Sequence, residues 1–380
     1  MSVTPDVDVA VVGLGTMGSM ALWQLSRRAG LTVAGFEQYG IGHAHGAFAG
    51  ESRLFRAAYH EGAFYVPMLL RARELWLELN ALTGKDLFLP IGTLSVGAPD
   101  VEPMQNVLMS ATEHGLPHER LDAEELKRRY PQFCVDSGSV AVLDKFGGAL
   151  RPEQAVLSAI ALAGENGATV FAGERVTDVR VAGDHVVIAT DQRQVTAETA
   201  IVAAGPWATQ LSPEVAARID VAAVVLTWFL PDAIEDFLPD RFPTFIVDQG
   251  DVHFFGAPSV DNYTVKISGA ERVRVTDLDA TGWRIDPALL SMIGRNTHAI
   301  FPALSPEPSR YSIHPESWTA DKVPIIDRGS DGRIVTLTGF SGHGFKFAPI
   351  IGEMAAALAV DGTHPLWDPA FALSAHALVR

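Results

Sequence analysis

The stretch Asp8-Val9-Ala10-Val11-Val12-Gly13-Leu14-Gly15-Thr16-Met17-Gly18 decides the fold of this chain. A helical pattern follows to about Arg28, and a second apolar run over 31–36 ends at Glu37. This order of strand, glycine turn, helix, strand and acid is typical of a dinucleotide-binding βαβ unit. We therefore predict a dinucleotide site at the start of the first helix.

Each conspicuous residue of this unit has a physical role in that prediction. Gly13 permits the tight turn, Gly15 lets a pyrophosphate approach the backbone, and Gly18 lets the helix pack closely on the strand. The helix N-terminus offers free N–H groups and the positive end of a dipole. Glu37, twenty-four residues after Gly13, is placed to accept hydrogen bonds from a ribose and to disfavour NADP. A glycine turn that only joins strand to helix would leave Glu37 unexplained.

Composition limits the other possibilities. A length of 380 residues allows two or three domains, and 48% apolar residues suffice for a large core. A net charge of −16 argues against nucleic acid as the main partner. A single cysteine, Cys134, excludes an internal disulfide and a multi-cysteine metal site. Without a membrane-length apolar run or a leader before the first strand, we expect a cytoplasmic protein that does not bind membranes.

The loop after Glu37 and the segment that follows it carry possible ligand-binding residues. His43, His45 and His60 lack the spacing of metal ligands, so we expect loop histidines and no metal site. Arg53 and Arg56 are three residues apart and would share one face if the segment were helical. They could bind phosphate, a flavin or a substrate carboxylate, although spacing alone favours a solvated basic face.

The middle of the chain does not continue the alternation of strands and helices that begins the sequence. Residues 87–145 predict the start of a second domain, and three β-like runs between 169 and 190 precede an apolar strand, 199–204, that ends at Gly205-Pro206-Trp207. A small sheet followed by such a strand is typical of FAD folds in which the chain returns to the nucleotide. Further strands between 219 and 267 predict an antiparallel sheet.

Two later features carry charge. Lys266 lies in a β-prone run, where it is either an exposed edge lysine, which the pattern alone favours, or a buried lysine with a partner or a lowered pKa. Near the C-terminus, strand 334–338, the loop Gly339-Phe340-Ser341-Gly342-His343-Gly344-Phe345-Lys346-Phe347 and a helix from Ala348 predict a second anion site at a helix start.

These motifs together resemble the monomeric sarcosine oxidase and N-methyltryptophan oxidase group of FAD enzymes, which belongs to the glycine/D-amino-acid oxidase type. The resemblance rests on the opening glycine unit, on Gly50-Glu51-Ser52-Arg53-Leu54-Phe55-Arg56-Ala57-Ala58-Tyr59 with Glu61-Gly62, on 201–207 and on 339–346. It runs nearly end to end and is weak between about 215 and 310.

The resemblance implies a two-lobed α/β fold. One part is a discontinuous, Rossmann-like FAD-binding domain of the GR2 type, residues 1–86, 146–215 and 318–380. The other is an α+β substrate domain with a mainly antiparallel sheet, residues 87–145 and 216–317. The implied cofactor-binding residues are Gly13, Gly15, Thr16, Met17, Gly18, Glu37, Gln38, Ser52, Arg53, Val176, Ala204, Gly205, Trp207, Gly339, Gly342, His343, Gly344, Phe345 and Lys346.

The implied activity is oxidation of a secondary amine by a monomeric enzyme. An N-methyl or other N-substituted amino acid loses a hydride to flavin N5, the imine hydrolyses, and O2 becomes H2O2. Arg56 and Lys346 match the pair that binds the substrate carboxylate. Arg53 matches an arginine beside the flavin, and Lys266 matches a lysine that speeds the reaction with oxygen, which reverses the preference for an exposed lysine.

Departures from the group alter part of this expectation. The cysteine that bonds the flavin covalently, thirteen residues before the match to Asp327, is His314 here. We therefore expect non-covalent FAD, with a histidyl bond through His314 as the alternative. An active-site tyrosine is replaced by Glu316 and an active-site histidine by Ala270. If Glu316 faces the pocket, it favours a substrate with an added positive or hydroxyl-rich group; otherwise it is a solvent-facing loop acid.

Three functions remain open from the sequence. The first is an amine oxidase, whose substrates could include fructosyl amino acids, N-methyl aromatic amino acids or cyclic imino acids. The second is an FAD-dependent dehydrogenase of similar substrates with another electron acceptor. The third is a non-catalytic flavoprotein that retains the cofactor fold.

Overall fold

A computed structural model describes residues 5–280 and 283–379. The strands are β1 Val7–Val12, β2 Val33–Glu37, β3 Arg53–Phe55, β4 Phe88–Leu89, β5 Thr93–Gly97, β6 His118–Asp122, β7 Val140–Asp144, β8 Gly148–Leu150, β9 Thr169–Ala172, β10 Val176–Ala182, β11 His185–Thr190, β12 Gln194–Val202, β13 Asp220–Phe229, β14 Thr244–Gln249, β15 Val252–Ala257, β16 Val265–Gly269, β17 Arg272–Arg274, β18 Arg310–Trp318, β19 Ile325–Arg328 and β20 Ile334–Thr338.

The helices alternate with these strands. They are α1 Thr16–Ser26, α2 Val66–Thr83, α3 Glu102–Glu113, α4 Ala123–Arg129, α5 Pro152–Glu165, α6 Ala208–Leu211, α7 Pro213–Ala216, α8 Pro287–Ile300 and α9 Ala348–Val360. Short 3-10 turns cover Ala63–Tyr65, Gly205–Trp207, Ile234–Phe237, Phe345–Phe347, Pro369–Phe371 and Leu373–Ala375. Within the described residues, no helix combines the length and apolar character needed to cross a bilayer.

The first sheet has eight strands and contains the opening βαβ unit. Its main path is β10-β11-β12-β1-β2-β9, and β20 pairs with both β12 and β19. The strands β20, β12, β1, β2 and β9 run parallel. A parallel sheet needs cover on its faces, and helices α1, α2, α5 and α9 pack their apolar residues into one large core beside it. The carboxyl ends of β1, β2, β12 and β20 therefore meet at one edge.

The second sheet has nine strands in the order β17-β13-β16-β15-β14-β5-β7-β6, with β18 also paired to β13. Every pairing is antiparallel except β14 with β5. One face carries a core that includes Phe229, Phe245, Phe254 and Ile293 of α8. Alternate residues of the same strands point to the opposite face. A small third sheet has the order β3-β8-β4.

The predicted helices and strands are present, but several other elements differ from the prediction. Arg53–Phe55 is a strand paired with β8, so the helical face considered for Arg53 and Arg56 is wrong. The antiparallel pair β6 and β7, the short strands β8 and β17 and the strand β18 were not predicted. Pro315 interrupts the β-pattern of β18. The strand tolerates it because the ladder of β18 is formed with β13 on one side, and on its other side the described residues show no more than a single bridge from Trp318 to Phe340. The proposed domain boundaries remain a prediction.

Candidate functional site

A cavity opens where the parallel strands of the first sheet end. We call it the first cavity, and it is bordered by the glycine loop after β1, the end of β2, the turn after β12 and the loop after β20. The predicted cofactor residues that line it are Gly13, Gly15, Thr16, Met17, Glu37, Gln38, Arg53, Val176, Ala204, Gly205, Trp207, Gly342, Gly344 and Phe345. The two glycine-rich ends of the chain thus face the same space.

The glycines leave room at this cavity that other residues would fill. Gly13 has φ +85°, and a Cβ there would lie 2.7 Å from the Ala203 carbonyl oxygen. A Cβ on Gly18 would overlap the Gly13 carbonyl oxygen, so Gly18 lets the helix pack onto the turn without lining the cavity. Helix α1 begins at Gly15 with no side-chain cap. Its first N–H groups therefore remain available to a pyrophosphate, and the residues present fit FAD.

Glu37 at the end of β2 is buried, at 4% exposure, and borders the first cavity. Its Oε2 accepts a hydrogen bond from the Leu14 N–H at 2.9 Å, and its Oε1 accepts one from the Tyr39 N–H at 3.0 Å. Each carboxylate oxygen can accept a second hydrogen bond. The two backbone donors orient the carboxylate and leave it able to bind ribose hydroxyls.

A second cavity of about 1080 Å³ adjoins the first. One of its walls is the free face of the nine-stranded sheet, from which Val224, Leu226, Phe255 and Lys266 project. The residues that border both cavities are Arg53, Glu316, Ser341, Gly342 and Phe345. We call these five residues the junction.

Lys266 on β16 is buried, at 4% exposure. Its Nζ donates hydrogen bonds to the carbonyl oxygens of Ser52 at 2.7 Å and Gly50 at 3.1 Å. Strand β16 lies between β13 and β15, so the alternative of an exposed edge lysine is wrong. Burial and the neighbouring Arg53 guanidinium lower the pKa of Lys266 well below its usual value. Negative charge arising in this part of the cavity would stabilise its charged form.

Arg53 is held by the loop that precedes it. Its Nη2 donates to the carbonyl oxygens of Ala47 and Ala49, each at 2.7 Å, and its Nη1 donates to Ser52 at 2.8 Å. Ser52 itself is buried and borders the second cavity. These bonds fix the guanidinium at the junction, where burial lowers its pKa.

Arg56 is 6% exposed and borders the second cavity. Its Nη2 donates to both oxygens of Glu61, at 3.0 and 2.9 Å. Its Nε and Nη1 are buried and have no hydrogen-bond partner among the described residues. Although burial raises the pKa of Glu61, the neighbouring cations led by Arg56 outweigh it and lower that pKa to about 2. The guanidinium therefore retains two N–H faces that require an acceptor.

Lys346, in the C-terminal glycine loop, borders the second cavity together with Arg56. Its Nζ donates to the His343 carbonyl at 2.7 Å and to the Tyr59 hydroxyl at 3.1 Å. Both cations contact Tyr59, since Lys346 Nζ is 4.8 Å and Arg56 Cζ 4.9 Å from its ring centre. Burial and the charge of Arg56 lower the pKa of Lys346 to about 7. An anion bound between the two cations would restore the charged form of the lysine.

The two histidines of the prediction take different positions. His343 borders the second cavity, where its Nδ1 bonds the Tyr59 hydroxyl at 2.9 Å and its Nε2 the Lys322 carbonyl at 2.8 Å. His314 bonds Gly46 O through Nδ1 at 3.1 Å and Ser312 Oγ through Nε2 at 2.7 Å. Burial lowers the pKa of His314 to about 3. His314 is not among the described residues that border either cavity.

Gly339 also lies outside both linings. It has φ +71°, and a Cβ there would lie 2.6 Å from Thr319. It shapes the turn after β20 and does not contact the cavities directly.

Glu316 projects from β18 to the junction, so the alternative of a solvent-facing loop acid is wrong. It shares its face of the strand with His314 and Trp318 because alternate residues point the same way. Its Oε2 is shielded from solvent and has no hydrogen-bond partner among the described residues. Burial raises the pKa of Glu316 to about 7, against the opposing effect of Arg53, Arg272 and Lys346.

Several residues of the site carry no signal in the sequence alone. Glu61 and Tyr59 belong to the quoted arginine motif, but nothing in their spacing indicates contact with Arg56 or Lys346. Trp318 lines the second cavity through the pairing of β18 with β13, which is distant in sequence. The alternation of side chains along a strand would have placed Trp318 on the same face as Glu316 if β18 had been recognised as a strand.

Comparison with known proteins places the chain among flavoenzymes. The sequence profile of the family described as FAD dependent oxidoreductase matches residues 8–358. Monomeric sarcosine oxidase from Streptomyces avermitilis is 34% identical over 376 residues, covering 96% of this chain and 98% of that protein. N-methyl-L-tryptophan oxidase from Yersinia pestis is 31% identical over 381 residues, covering 97% and 99%.

Solved structures show the same fold. NikD, an amino acid oxidase essential for nikkomycin biosynthesis, superposes with a TM-score of 0.85 at 22% identity, covering 97% of this chain and 98% of that one. L-Proline dehydrogenase from P. horikoshii gives 0.83 at 20% identity, covering 98% of each chain. At these identities the likeness concerns the fold alone.

Proposed function

This chain belongs to the family of FAD-dependent oxidoreductases, and from that premise we propose that it oxidises secondary amines that carry a carboxylate. The substrates in this proposal are N-methyl or other N-substituted amino acids, which lose a hydride to the flavin and become imines. The names of the two relatives, sarcosine oxidase and N-methyl-L-tryptophan oxidase, support this substrate class.

The residues of the first cavity would hold FAD. The N-terminus of α1 with Gly13 and Gly15 would bind its pyrophosphate, and Glu37 its ribose. Bound there, FAD would supply the hydride acceptor and the route for electrons to O2, which becomes H2O2. The chain's own residues then need only bind and orient the amine, keep out water and place charge.

The observation that carries the proposal is the pair of buried cations at Tyr59. Arg56 has two N–H groups without partners, and Lys346 borders the same cavity with its Nζ on the Tyr59 hydroxyl. A carboxylate can accept hydrogen bonds from both at once, and such charge-assisted bonds are strong in a buried site. Binding at the carboxylate would fix the neighbouring carbon and nitrogen, which favours reaction through orientation.

The cavity volume bears on substrate size. The second cavity, of about 1080 Å³, is slightly larger than the range of roughly 300–1,000 Å³ for small-molecule sites. Even with a flavin ring at the junction, it would leave room for substituents larger than a methyl group. We therefore include bulky N-substituted amino acids in the proposal.

A peroxide assay tests this function. The FAD-loaded protein is mixed with N-methylglycine, N-methyl-L-tryptophan, L-proline and fructosyl-glycine, and H2O2 is measured. We expect H2O2 from at least one of them. Bleaching of the flavin without H2O2, together with reduction of an artificial electron acceptor, would indicate a dehydrogenase. No bleaching by any amine of a broad panel would refute the proposal.

We also propose that FAD binds without a covalent bond. His314 borders neither cavity, and both of its ring nitrogens are hydrogen-bonded, while Cys134 is exposed and its N–H bonds the Ile300 carbonyl of α8. Acid precipitation should therefore leave the yellow colour in the supernatant. A yellow pellet after washing would contradict this prediction, and loss of the colour in His314→Ala would then assign the bond.

A further inference from the structure

Glu316 occupies a position that the proposed binding of the carboxylate does not explain. Of the residues that border both cavities, it is the only one with a carboxylate. Glu61, the acid next to Arg56 in the second cavity, is already bonded to that arginine. The Gly342 N–H helps to hold down the pKa of Glu316, but the buried Oε2 has no hydrogen-bond partner among the described residues, so this oxygen can accept a hydrogen bond from a ligand at the junction.

The reaction itself requires a proton acceptor at this place. At neutral pH a secondary amine is an ammonium ion, and its nitrogen has no free electron pair with which to assist loss of a hydride from the neighbouring carbon. If the substrate carboxylate is bound by Arg56 and Lys346, its nitrogen lies one carbon away. The carbon next to that nitrogen must reach the flavin for the hydride to leave, so the nitrogen would have to lie on the side of the junction. The junction carboxylate is the group of the chain best placed to receive the proton.

We propose that Glu316 binds the substrate's ammonium group and accepts one of its protons before the hydride leaves. An N–H bond of the ammonium breaks, an O–H bond forms on the carboxylate, and the nitrogen keeps the electron pair. The charge of the substrate nitrogen is neutralised together with that of the carboxylate, and no other reactant is needed. This inference rests on the proposed amine oxidation and assigns Glu316 a step within it.

The surroundings of Glu316 suit a proton acceptor. Three cations face it: Arg53 from β3, Arg272 from β17 and Lys346 from the C-terminal loop. Arg272 also stacks on Trp318, with its Cζ 3.4 Å from the ring centre. Burial alone raises the pKa of Glu316, and these cations limit the rise to about 7. A base with this pKa is mostly deprotonated at pH 8 and can still hold a proton.

The other reading of Glu316 is recognition of a second polar group on a larger substrate. The unpartnered carboxylate would serve that purpose too, but its place at the junction is nearer to the flavin site than to the outer part of the second cavity. The two readings differ in what they predict for the smallest substrate. Proton acceptance applies to every amine, whereas recognition applies only to amines with the additional group.

The test uses the FAD holoenzyme and the amine of the panel that reacts fastest, together with N-methylglycine. The limiting rate of anaerobic flavin reduction is measured from pH 6 to 10 for the wild type, Glu316→Gln, Glu316→Asp and the exposed control Glu113→Gln. For the wild type we expect the rate to rise as pH increases through about 7 and then to level, because deprotonated Glu316 is the active form.

Glu316→Gln should reduce about 10²–10⁴-fold more slowly at pH 7.5, as expected for loss of a general base. Its rate should lack the inflection near 7 and rise roughly tenfold per pH unit, because only the fraction of amine that is already unprotonated can react. Glu316→Asp should retain the inflection at a lower rate, and Glu113→Gln should match the wild type.

A binding measurement complements the rates. (Methylthio)acetate has a neutral sulfur in place of the nitrogen, and its binding can be followed through the flavin absorbance. Glu316→Gln should bind it as tightly as the wild type or more tightly, while the Kd for the amine rises. A structural defect of the variant would weaken both ligands equally.

Equal reduction rates and pH profiles for wild type and Glu316→Gln would overturn the inference while leaving the amine oxidation intact. A loss confined to amines with an added polar group would also overturn it and support recognition instead. If no amine reduces the wild-type flavin, the proposed function itself fails, so the two failures are distinguishable. If Glu316→Gln does not retain FAD, the inference is tested with Glu316→Asp and with the wild type alone. A wild-type rate of flavin reduction that does not change between pH 6 and 8 would overturn the inference.

Discussion

Replacing Arg56 by methionine is expected to lower kcat/KM for an N-substituted amino acid by roughly 10²-fold. Removing one partner of a buried, hydrogen-bonded charge pair costs about 3 kcal/mol, and each 1.4 kcal/mol corresponds to a factor of about ten. The buried N–H groups of Arg56 that have no partner in the chain are the ones assigned to the substrate carboxylate. The measurement is steady-state H2O2 formation over a range of amine concentrations.

A comparison of two substrates, each with the wild type and with Arg56→Met, separates loss of carboxylate binding from damage to the fold. The methyl ester of the same amino acid lacks the carboxylate charge, so wild type should oxidise it poorly and Arg56→Met should cause little further loss. Arg56→Lys should lie between, since lysine keeps the charge but not the paired N–H geometry. Arg180→Met, at an exposed position on β10, should have no effect. An equal loss for acid and ester would contradict the assignment.

Replacing Lys266 by methionine is expected to slow reoxidation of the reduced flavin by O2 about 10²–10³-fold, the usual loss when one fixed charge or donor is removed from a transition state. Lys266 borders the second cavity, where the carbonyls of Gly50 and Ser52 hold its Nζ. Its ammonium would stabilise the negative charge that oxygen gains when it accepts an electron from bound, reduced FAD. Anaerobic reduction by the amine should change less than fivefold, by our estimate of about 1 kcal/mol of indirect effect. Rapid mixing of reduced enzyme with O2 measures the first rate.

The control for Lys266 is the variant Lys266→Arg, which keeps a cation at the same position of β16. It should retain much of the oxygen reaction, although the larger guanidinium must fit beside Arg53. Lys266→Met also leaves two carbonyl oxygens without their donor, which costs about 1–3 kcal/mol of stability, so FAD content is compared first. If Lys266→Met slowed flavin reduction and flavin reoxidation equally, the proposed role of Lys266 in the reaction with oxygen would be refuted.

The nucleotide end of the molecule could be read from the sequence because its signals are local. Gly13, Gly15, Gly18 and Glu37 all belong to one βαβ unit of adjacent elements, and each has a conformational or packing reason that a single sequence reveals. The resemblance to a known family added the C-terminal loop and the arginine motif. The fold class and FAD dependence inferred in this way are confirmed by the family match.

The substrate side could not be read in the same way because its residues meet through long-range register. Strand β18 contains Pro315, which hides its β-pattern, so Glu316 could not be placed on a strand or a loop. The pairing of Trp228 with Lys266 across β13 and β16 decides that the lysine is buried, and no local pattern reports that pairing. The bond between Arg56 and Glu61 spans an irregular loop with no period. The roles proposed for these residues remain predictions.

The most direct test of the central claim is a crystal structure of the FAD-loaded protein with (methylthio)acetate bound. We expect the pyrophosphate at the N-terminus of α1 and the isoalloxazine ring at the junction. The ligand carboxylate should lie about 3 Å from nitrogen atoms of both Arg56 and Lys346, the distance of a hydrogen bond, on the cavity that Lys266 borders. FAD bound away from the first cavity, or a ligand carboxylate that contacts neither Arg56 nor Lys346, would contradict the account.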